Sequence, residues 1–298
     1  MNMIRADGRR SARNSRAVVI LFMVIVLLTG MGGCDGNDHV GPPTKPPPLY
    51  DSGPSWTQAG NKITFTRFIA SGDSIGYWLC VVDTLGGSPI FLRRYAFDAV
   101  WLPGDSEFIF FSGFKLYKLH LPAMQITLIC DCVDARFPEL DPTGRYLYYE
   151  DQGVADNWAT SVYRMDLQTG DTVHIVGGGY PATSPDARYL LVNRHDSVLR
   201  YDLQTLNQLS GVSADAQVYD WTADGQSIVY GFFYNKARTG KLYISNADGS
   251  NFRYLAVGDW PKCAPSGSRI AISRRGTDNK PYIWLIDQQG GNLKQITF

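Results

Sequence analysis

The chain has 298 residues, with 28 Lys+Arg against 28 Asp+Glu and a formal net charge of +0. Its 44% hydrophobic and 13% aromatic content, with 30 Gly, 16 Pro and 5 Cys, supplies a sizeable core and excludes the disordered, collagen-like and disulfide-knot classes. The balanced charge gives no reason to expect nucleic acid, and a charged content of only 19% beside 17 Tyr leans towards β structure, because long surface helices are rich in Glu and Lys.

Arg5, Arg9, Arg10, Arg13 and Arg16 precede an apolar run from Ala17 to Leu28. This is a basic n-region and a short h-region, well under the ~20 residues of a spanning helix. Met31-Gly32-Gly33-Cys34 follows and resembles the lipobox of bacterial lipoproteins, with Met31 where Leu is usual. That resemblance implies a signal peptide over 1–33, Cys34 as the lipidated mature N-terminus, and a membrane-anchored lipoprotein on the extracytoplasmic side of the bacterial cell envelope. The first 33 residues hold five Arg and one Asp, so the mature chain carries 23 cations against 27 anions, which strengthens the case against nucleic acid. Asp35 resembles the inner-membrane retention signal of enteric bacteria, and the choice between inner and outer membrane stays open. Residues 34–52, with Pro42, Pro43, Pro46, Pro47 and Pro48, read as an extended tether.

From residue 53 a tight-turn segment followed by a β-rich triplet recurs six times. Trp101-Leu102-Pro103-Gly104-Asp105 leads to Phe108-Ile109-Phe110, and Thr183-Ser184-Pro185-Asp186-Ala187 to Leu190-Leu191-Val192. The left-handed turn position falls at residues 60, 105, 144, 187, 225 and 267, a mean spacing of about 41. A second series in phase with it, Asp83, His120, Asp166, Asp202, Asn246 and Asp287, ends apolar strands in Asx-type hairpin turns. Two hairpins per repeat predict an all-β, six-bladed propeller of four-stranded antiparallel blades over 53–298, with no helical domain. The last strand, Asn292–Phe298, completes blade six in sequence, so the expected ring closes by blade packing alone, without strand exchange.

Ser184-Pro185-Asp186 and Trp221-Thr222-Ala223-Asp224-Gly225 resemble the WD40-like repeats of the TolB-type β-propeller, whose consensus is a Trp-Ser-Pro-Asp-Gly turn. The family resemblance implies the propeller fold. TolB carries an α/β domain ahead of its propeller, where this sequence has the Pro-rich tether, so the resemblance assigns no partner-binding role to a named position.

Catalytic motifs are missing. His39, His120, His174 and His195 have no ligand partner at metal spacing, there is no Gly-x-Ser-x-Gly elbow, and the Asp box of sialidases is absent. The sequence therefore implies no cofactor and no metal, and the repeated Asp residues read as turn caps. Gly177-Gly178-Gly179 reads as flexible inter-blade linkage. Cys80, Cys130, Cys132 and Cys263 allow three pairings, with buried free thiols as the plainer expectation. Second-to-third and inter-blade loops form the variable face, where binding usually resides. Candidate binding residues there are Arg94, Trp158, Phe233, Tyr234, Arg238, Arg274 and Arg275, because aromatic-plus-Arg clusters are enriched at interfaces. Glu139, Asp220 and Lys262, just ahead of the turn motif, form the only mixed-charge candidate set for the channel. The reading is a non-enzymatic binding module or scaffold for an envelope protein, peptide or glycan. The alternative is a carbohydrate lyase or hydrolase acting in the central channel.

Overall fold

The computed structural model describes residues 49–70, 75–131, 134–152, 160–194, 197–214, 216–232 and 240–298. Cys34 and most of the tether lie outside the described residues, as do Trp158, Phe233, Tyr234 and Arg238. Among the described residues twenty-four strands form six four-stranded sheets, each built from four strands consecutive in sequence and paired antiparallel. Blade one is β1 (Leu49–Trp56), β2 (Lys62–Ile69), β3 (Gly76–Asp83) and β4 (Ile90–Arg94); blade two is β5 (Phe97–Trp101), β6 (Glu107–Ser112), β7 (Lys115–His120) and β8 (Gln125–Cys130). Blade three is β9 (Arg136–Leu140), β10 (Tyr146–Gln152), β11 (Thr160–Asp166) and β12 (Thr172–Gly177); blade four is β13 (Gly179–Thr183), β14 (Tyr189–Arg194), β15 (Ser197–Asp202) and β16 (Gln208–Ala214). Blade five is β17 (Val218–Trp221), β18 (Ser227–Gly231), β19 (Lys241–Asn246) and β20 (Arg253–Val257); blade six is β21 (Asp259–Cys263), β22 (Arg269–Arg275), β23 (Pro281–Asp287) and β24 (Lys294–Gln295). This is the expected six-bladed propeller. β1 reaches back to Leu49, so residues 49–52 of the expected tether pair with β2. Among the described residues no helix is long and apolar enough to cross a membrane.

The turn chemistry explains the repeat. Gly60, Asp105, Gly144, Ala187, Gly225 and Gly267, one per blade, all have φ between +55° and +75°, the left-handed turn conformation. In the second series Asp83, Asp166, Asp202 and Asp287 each accept the backbone N–H two residues on, at 2.8 to 3.0 Å. Their carboxylates are spent on turns.

Six apolar clusters fill the wedges between neighbouring blades, one per interface. Leu79, Trp101 and Phe108 join blades one and two, and Val229, Leu255 and Ile270 join blades five and six. Trp56, Phe65, Ala271 and Ile296 join blade six back to blade one, which closes the ring. Among the described residues no strand is exchanged there, but packing is not the whole closure. The Trp56 indole donates to the Lys262 carbonyl at 2.8 Å, the Ser273 hydroxyl to the Asp51 carbonyl at 2.6 Å, and the Thr297 hydroxyl to the Asp51 carboxylate at 2.5 Å. That carboxylate is fully buried and also accepts two hydrogen bonds from Arg67, both at 2.7 Å.

The expectation of a flexible glycine linker fails on packing. A Cβ on Gly178 would lie 2.5 Å from Val192 Cγ1 and 2.6 Å from the Asn193 carbonyl, and one on Gly179 would lie 2.0 Å from Glu150 Oε2. These glycines let the chain pass close beneath its neighbours as it enters blade four.

Candidate functional site: the central channel

The six innermost strands line a central cavity of about 110 Å³. In five of them the pairing with the second strand slips by a bulge, and the bulged residue has positive φ: Gly53, Asp98, Phe137, Tyr180 and Trp260. Proline follows in four, as Pro54, Pro138, Pro181 and Pro261, and a bulge is one of the few places inside a sheet that tolerates it. A bulge re-aims the side chain it carries. Here it turns Asp98, Phe137, Tyr180 and Trp260 onto the channel wall. Aromatic residues in the left-handed region are strained by roughly 1–3 kcal/mol each, and such strain concentrates at functional sites. The sequence did carry a signal for this layer: Gly-Pro-Ser-Trp, Phe-Pro-Glu-Leu, Tyr-Pro-Ala-Thr and Trp-Pro-Lys-Cys stand at one offset ahead of the turn.

Phe137 and Tyr180 stack with centroids 4.0 Å apart. The Tyr219 hydroxyl donates to the Tyr180 carbonyl at 2.5 Å. Asp98 makes no hydrogen bond among the described residues. The channel walls hold its carboxyl up at about 6 by desolvation, with Arg136 pulling the other way. Solvent in the channel still reaches part of this side chain. Beneath the Gly179–Tyr180 backbone, Glu150 accepts the Tyr180 N–H at 3.1 Å, and burial raises its carboxyl to about 7. Arg136 itself forms a forked pair with Asp134 at 2.8 and 2.7 Å.

Two residues further along the inner strands, nearer the repeated turns, the three predicted channel residues meet. Lys262 Nζ of blade six donates to Glu139 Oε2 of blade three at 2.8 Å and to Asp220 Oδ1 of blade five at 3.3 Å. Blades six and three stand opposite each other in the ring, so this pair crosses the channel. Asp220 also accepts the Cys263 N–H at 2.7 Å. Desolvation works against the Lys262 charge, but Asp220 and Glu139 overcome it and its pKa is raised. Desolvation also raises both carboxyls, opposed by Lys262.

Of the predicted loop residues that are described, all three arginines are engaged locally. Arg94 donates to the Ile75 carbonyl and lies over Trp78 and Tyr95, Arg274 donates to the Val257 carbonyl at 3.2 Å, and Arg275 to the Asn279 carbonyl at 2.7 Å. They are not brought to the channel wall. Cys80 and Cys263 are free and buried; burial pushes the Cys80 thiol up to about 12 and Cys263 well above its ordinary value. Cys130 is disulfide-bonded, so the expectation of free thiols does not hold for it. Among the described residues no group of three His, Cys, Asp or Glu is placed to hold a metal ion.

The fold is that of the TolB-type six-bladed propeller. Over 80% of this chain and 65% of the other, it superposes on TolB from Acinetobacter baumannii with a TM-score of 0.66 at 16% identity. It is similar to oligogalacturonate lyase from Vibrio parahaemolyticus, with a TM-score of 0.56 and 13% identity over 86% of this chain and 80% of that one. Regucalcin, a calcium-binding protein from Agrobacterium tumefaciens, matches with a TM-score of 0.58 and 13% identity over 85% and 92% of the two chains. No protein-family model matches the sequence, and no curated protein does. The likeness is one of fold.

Proposed function

We propose that the chain is a lipoprotein anchored to the cell envelope through Cys34, and that its propeller is a non-enzymatic module binding an envelope protein, a peptide or a glycan at the channel mouth and the loops around it. The observation that carries this reading is the state of the channel charges. Lys262, Glu139 and Asp220 are spent on one another across the ring, which leaves no free base or nucleophile in that set. Above them stand strained aromatic rings, the residue type that anchors interfaces. The cavity, at about 110 Å³, is well below the ~300–1,000 Å³ of small-molecule sites. A side chain of a partner fits such a space better than a sugar chain does.

Crosslinking of the full chain in envelopes, followed by co-purification, tests the reading. Phe137→Ala and Tyr180→Ala are expected to weaken capture of the same partner, and unchanged capture rejects the mouth as the site. Lipidation has its own test: the anchored protein becomes soluble in Cys34→Ala.

A second reading, a carbohydrate lyase or hydrolase, draws on Asp98 and Glu150, whose carboxyls at about 6 and about 7 lie in the range useful to a general acid or base. The named similarity to oligogalacturonate lyase makes oligogalacturonides the first substrates to try. Turnover abolished by Asp98→Asn establishes this reading in place of the first.

A further inference from the structure

Between blades three and four, on the face made by the repeated turns, lies a second cavity of about 390 Å³. Unlike the channel, it falls within the size range of small-ligand sites. Tyr146, Tyr148 and Arg164 form its wall on blade three, Arg188 and Leu203 its wall on blade four. The chemistry of this wall is repeated. In blade three the guanidinium groups of Arg145 and Arg164 lie 5.1 and 4.7 Å from the Tyr146 ring centre; in blade four those of Arg188 and Arg200 both lie 5.0 Å from that of Tyr189. Stacking on a ring orients a guanidinium while leaving its N–H edge available.

The four arginines differ in how that edge is used. Arg145 donates twice to Asp166, at 3.0 and 2.7 Å, and Arg200 donates to the Ala247 carbonyl at 2.8 Å. Arg188 approaches Asp202 only at 3.8 Å. Arg164 forms no salt bridge among the described residues and shares a hydrogen bond with the Tyr148 hydroxyl. The one carboxylate on the cavity wall, Asp141, is already satisfied by its own turn: it accepts the Tyr146 N–H at 2.7 Å and the Thr143 hydroxyl at 2.5 Å. Burial raises the Tyr148 pKa, which keeps its hydroxyl proton in place. A pre-oriented guanidinium whose one hydrogen bond goes to a neutral hydroxyl, with no carboxylate partner among the described residues, matches in a ligand-sized cavity a planar or tetrahedral oxyanion, which accepts paired N–H bonds.

We propose that this inter-blade cavity binds a small ligand through its oxyanion, a carboxylate of an acidic sugar or a phosphate group, held by the N–H edges of Arg164 and Arg188. The site lies on the face opposite the variable loops and is independent of whatever occupies the channel.

Calorimetric titration of the full chain at neutral pH and low salt tests the assignment, with inorganic phosphate, glucuronate and uncharged glucose as probes. The expected result is saturable binding of phosphate or glucuronate with a dissociation constant in the millimolar range or below, about −4 kcal/mol or stronger, and none of glucose. Which anion binds identifies the source of the oxyanion. Arg164→Met is expected to weaken binding about tenfold or more, and Arg164→Lys not to restore it, because an ammonium keeps the charge but lacks the planar fork. Should Arg164→Met melt at the working temperature, Arg188→Gln gives the same reading with a loss of several fold. The proposal is overturned by the absence of saturable binding of either anion at roughly 10 mM, by affinity unchanged in both Arg164→Met and Arg188→Gln, or by full rescue in Arg164→Lys.

Discussion

Glu150 is a carboxyl that the fold holds close to neutrality. Burial raises it to about 7 from an ordinary value of 4.5, against the opposing pull of the Tyr180 N–H and of Arg136. Because the folded pKa is the higher one, the folded chain binds the extra proton between the two values. The group's favourable contribution is therefore complete below about 4.5 and is lost as pH rises through about 7. At ~1.4 kcal/mol per pH unit the loss amounts to roughly 3 kcal/mol at most. Glu150→Gln is expected to match the parent in denaturant melts near pH 4.5 and to exceed it at pH 8 by up to that amount. A difference that does not change with pH would show that Glu150 is not the titrating group. Lys262 presents the opposite situation, a cation between Glu139 and Asp220. Removing one partner from a buried pair typically costs about 3–5 kcal/mol, because a charge is left without compensation. Lys262→Met should lose stability on that scale in urea melts, and adding Glu139→Gln with Asp220→Asn should recover much of it. If the single variant melts like the parent, the cluster contributes nothing to the fold.

Strand ends and turns are where the sequence reading was most informative, and where it also stopped. The left-handed position was legible in all six blades, even where Ala187 and Asp105 replace glycine, because the flanking Pro, Asp and Ser residues preserve the pattern of the turn. Ala187 carries a Cβ penalty that glycine lacks, about 1–2 kcal/mol. Ala187→Gly should therefore raise stability by around 1 kcal/mol in a thermal melt, while Gly178→Ala should lower it by about 1–3 kcal/mol, since its Cβ would meet the Asn193 carbonyl at 2.6 Å. Equal melting of the parent and Gly178→Ala would restore the flexible-linker reading. The bulges of the inner strands were less legible. Their proline stands one residue after the bulge in Phe137-Pro138, Tyr180-Pro181 and Trp260-Pro261, but period-two alternation gives no warning that the preceding aromatic turns onto the channel wall. The trio Glu139, Asp220 and Lys262 could be nominated from its position ahead of the turn. Its mutual pairing could not, because that depends on which blades face one another across the ring.

Closure is a property of the whole ring, and it is concentrated at one seam. Five blade interfaces join blades that are consecutive in the chain, whereas the sixth brings blade six back to blade one and must bear the loop-closure entropy of the entire propeller. Two kinds of contact hold it. Trp56, Phe65, Ala271 and Ile296 bury apolar surface across the seam, and Asp51 gathers Arg67, Ser273 and Thr297 around a carboxylate with no solvent exposure. Arg67 and Asp51 lie on neighbouring strands of blade one, so their pair fixes the edge to which Thr297 and Ser273 of blade six attach. This separates two substitutions that otherwise look alike. Asp51→Ala leaves the Arg67 guanidinium buried and unpaired, and is expected to destabilise the propeller by about 3–5 kcal/mol. Thr297→Val keeps the Arg67–Asp51 pair and removes the seam bond with little change in shape, together with the bond that the same hydroxyl accepts from the Ile283 N–H at 2.9 Å, with an expected cost of about 1–3 kcal/mol. Because that bond joins the two chain-distant blades, its loss should appear first as local opening. In hydrogen exchange, amides of β23 and β24 other than Ile283, whose N–H bonds the Thr297 hydroxyl directly, should lose protection in Thr297→Val before those of β10 and β11 in blade three do. Uniform loss of protection around the ring would mean that the six blades unfold as one unit and that the seam is no weaker than the other interfaces.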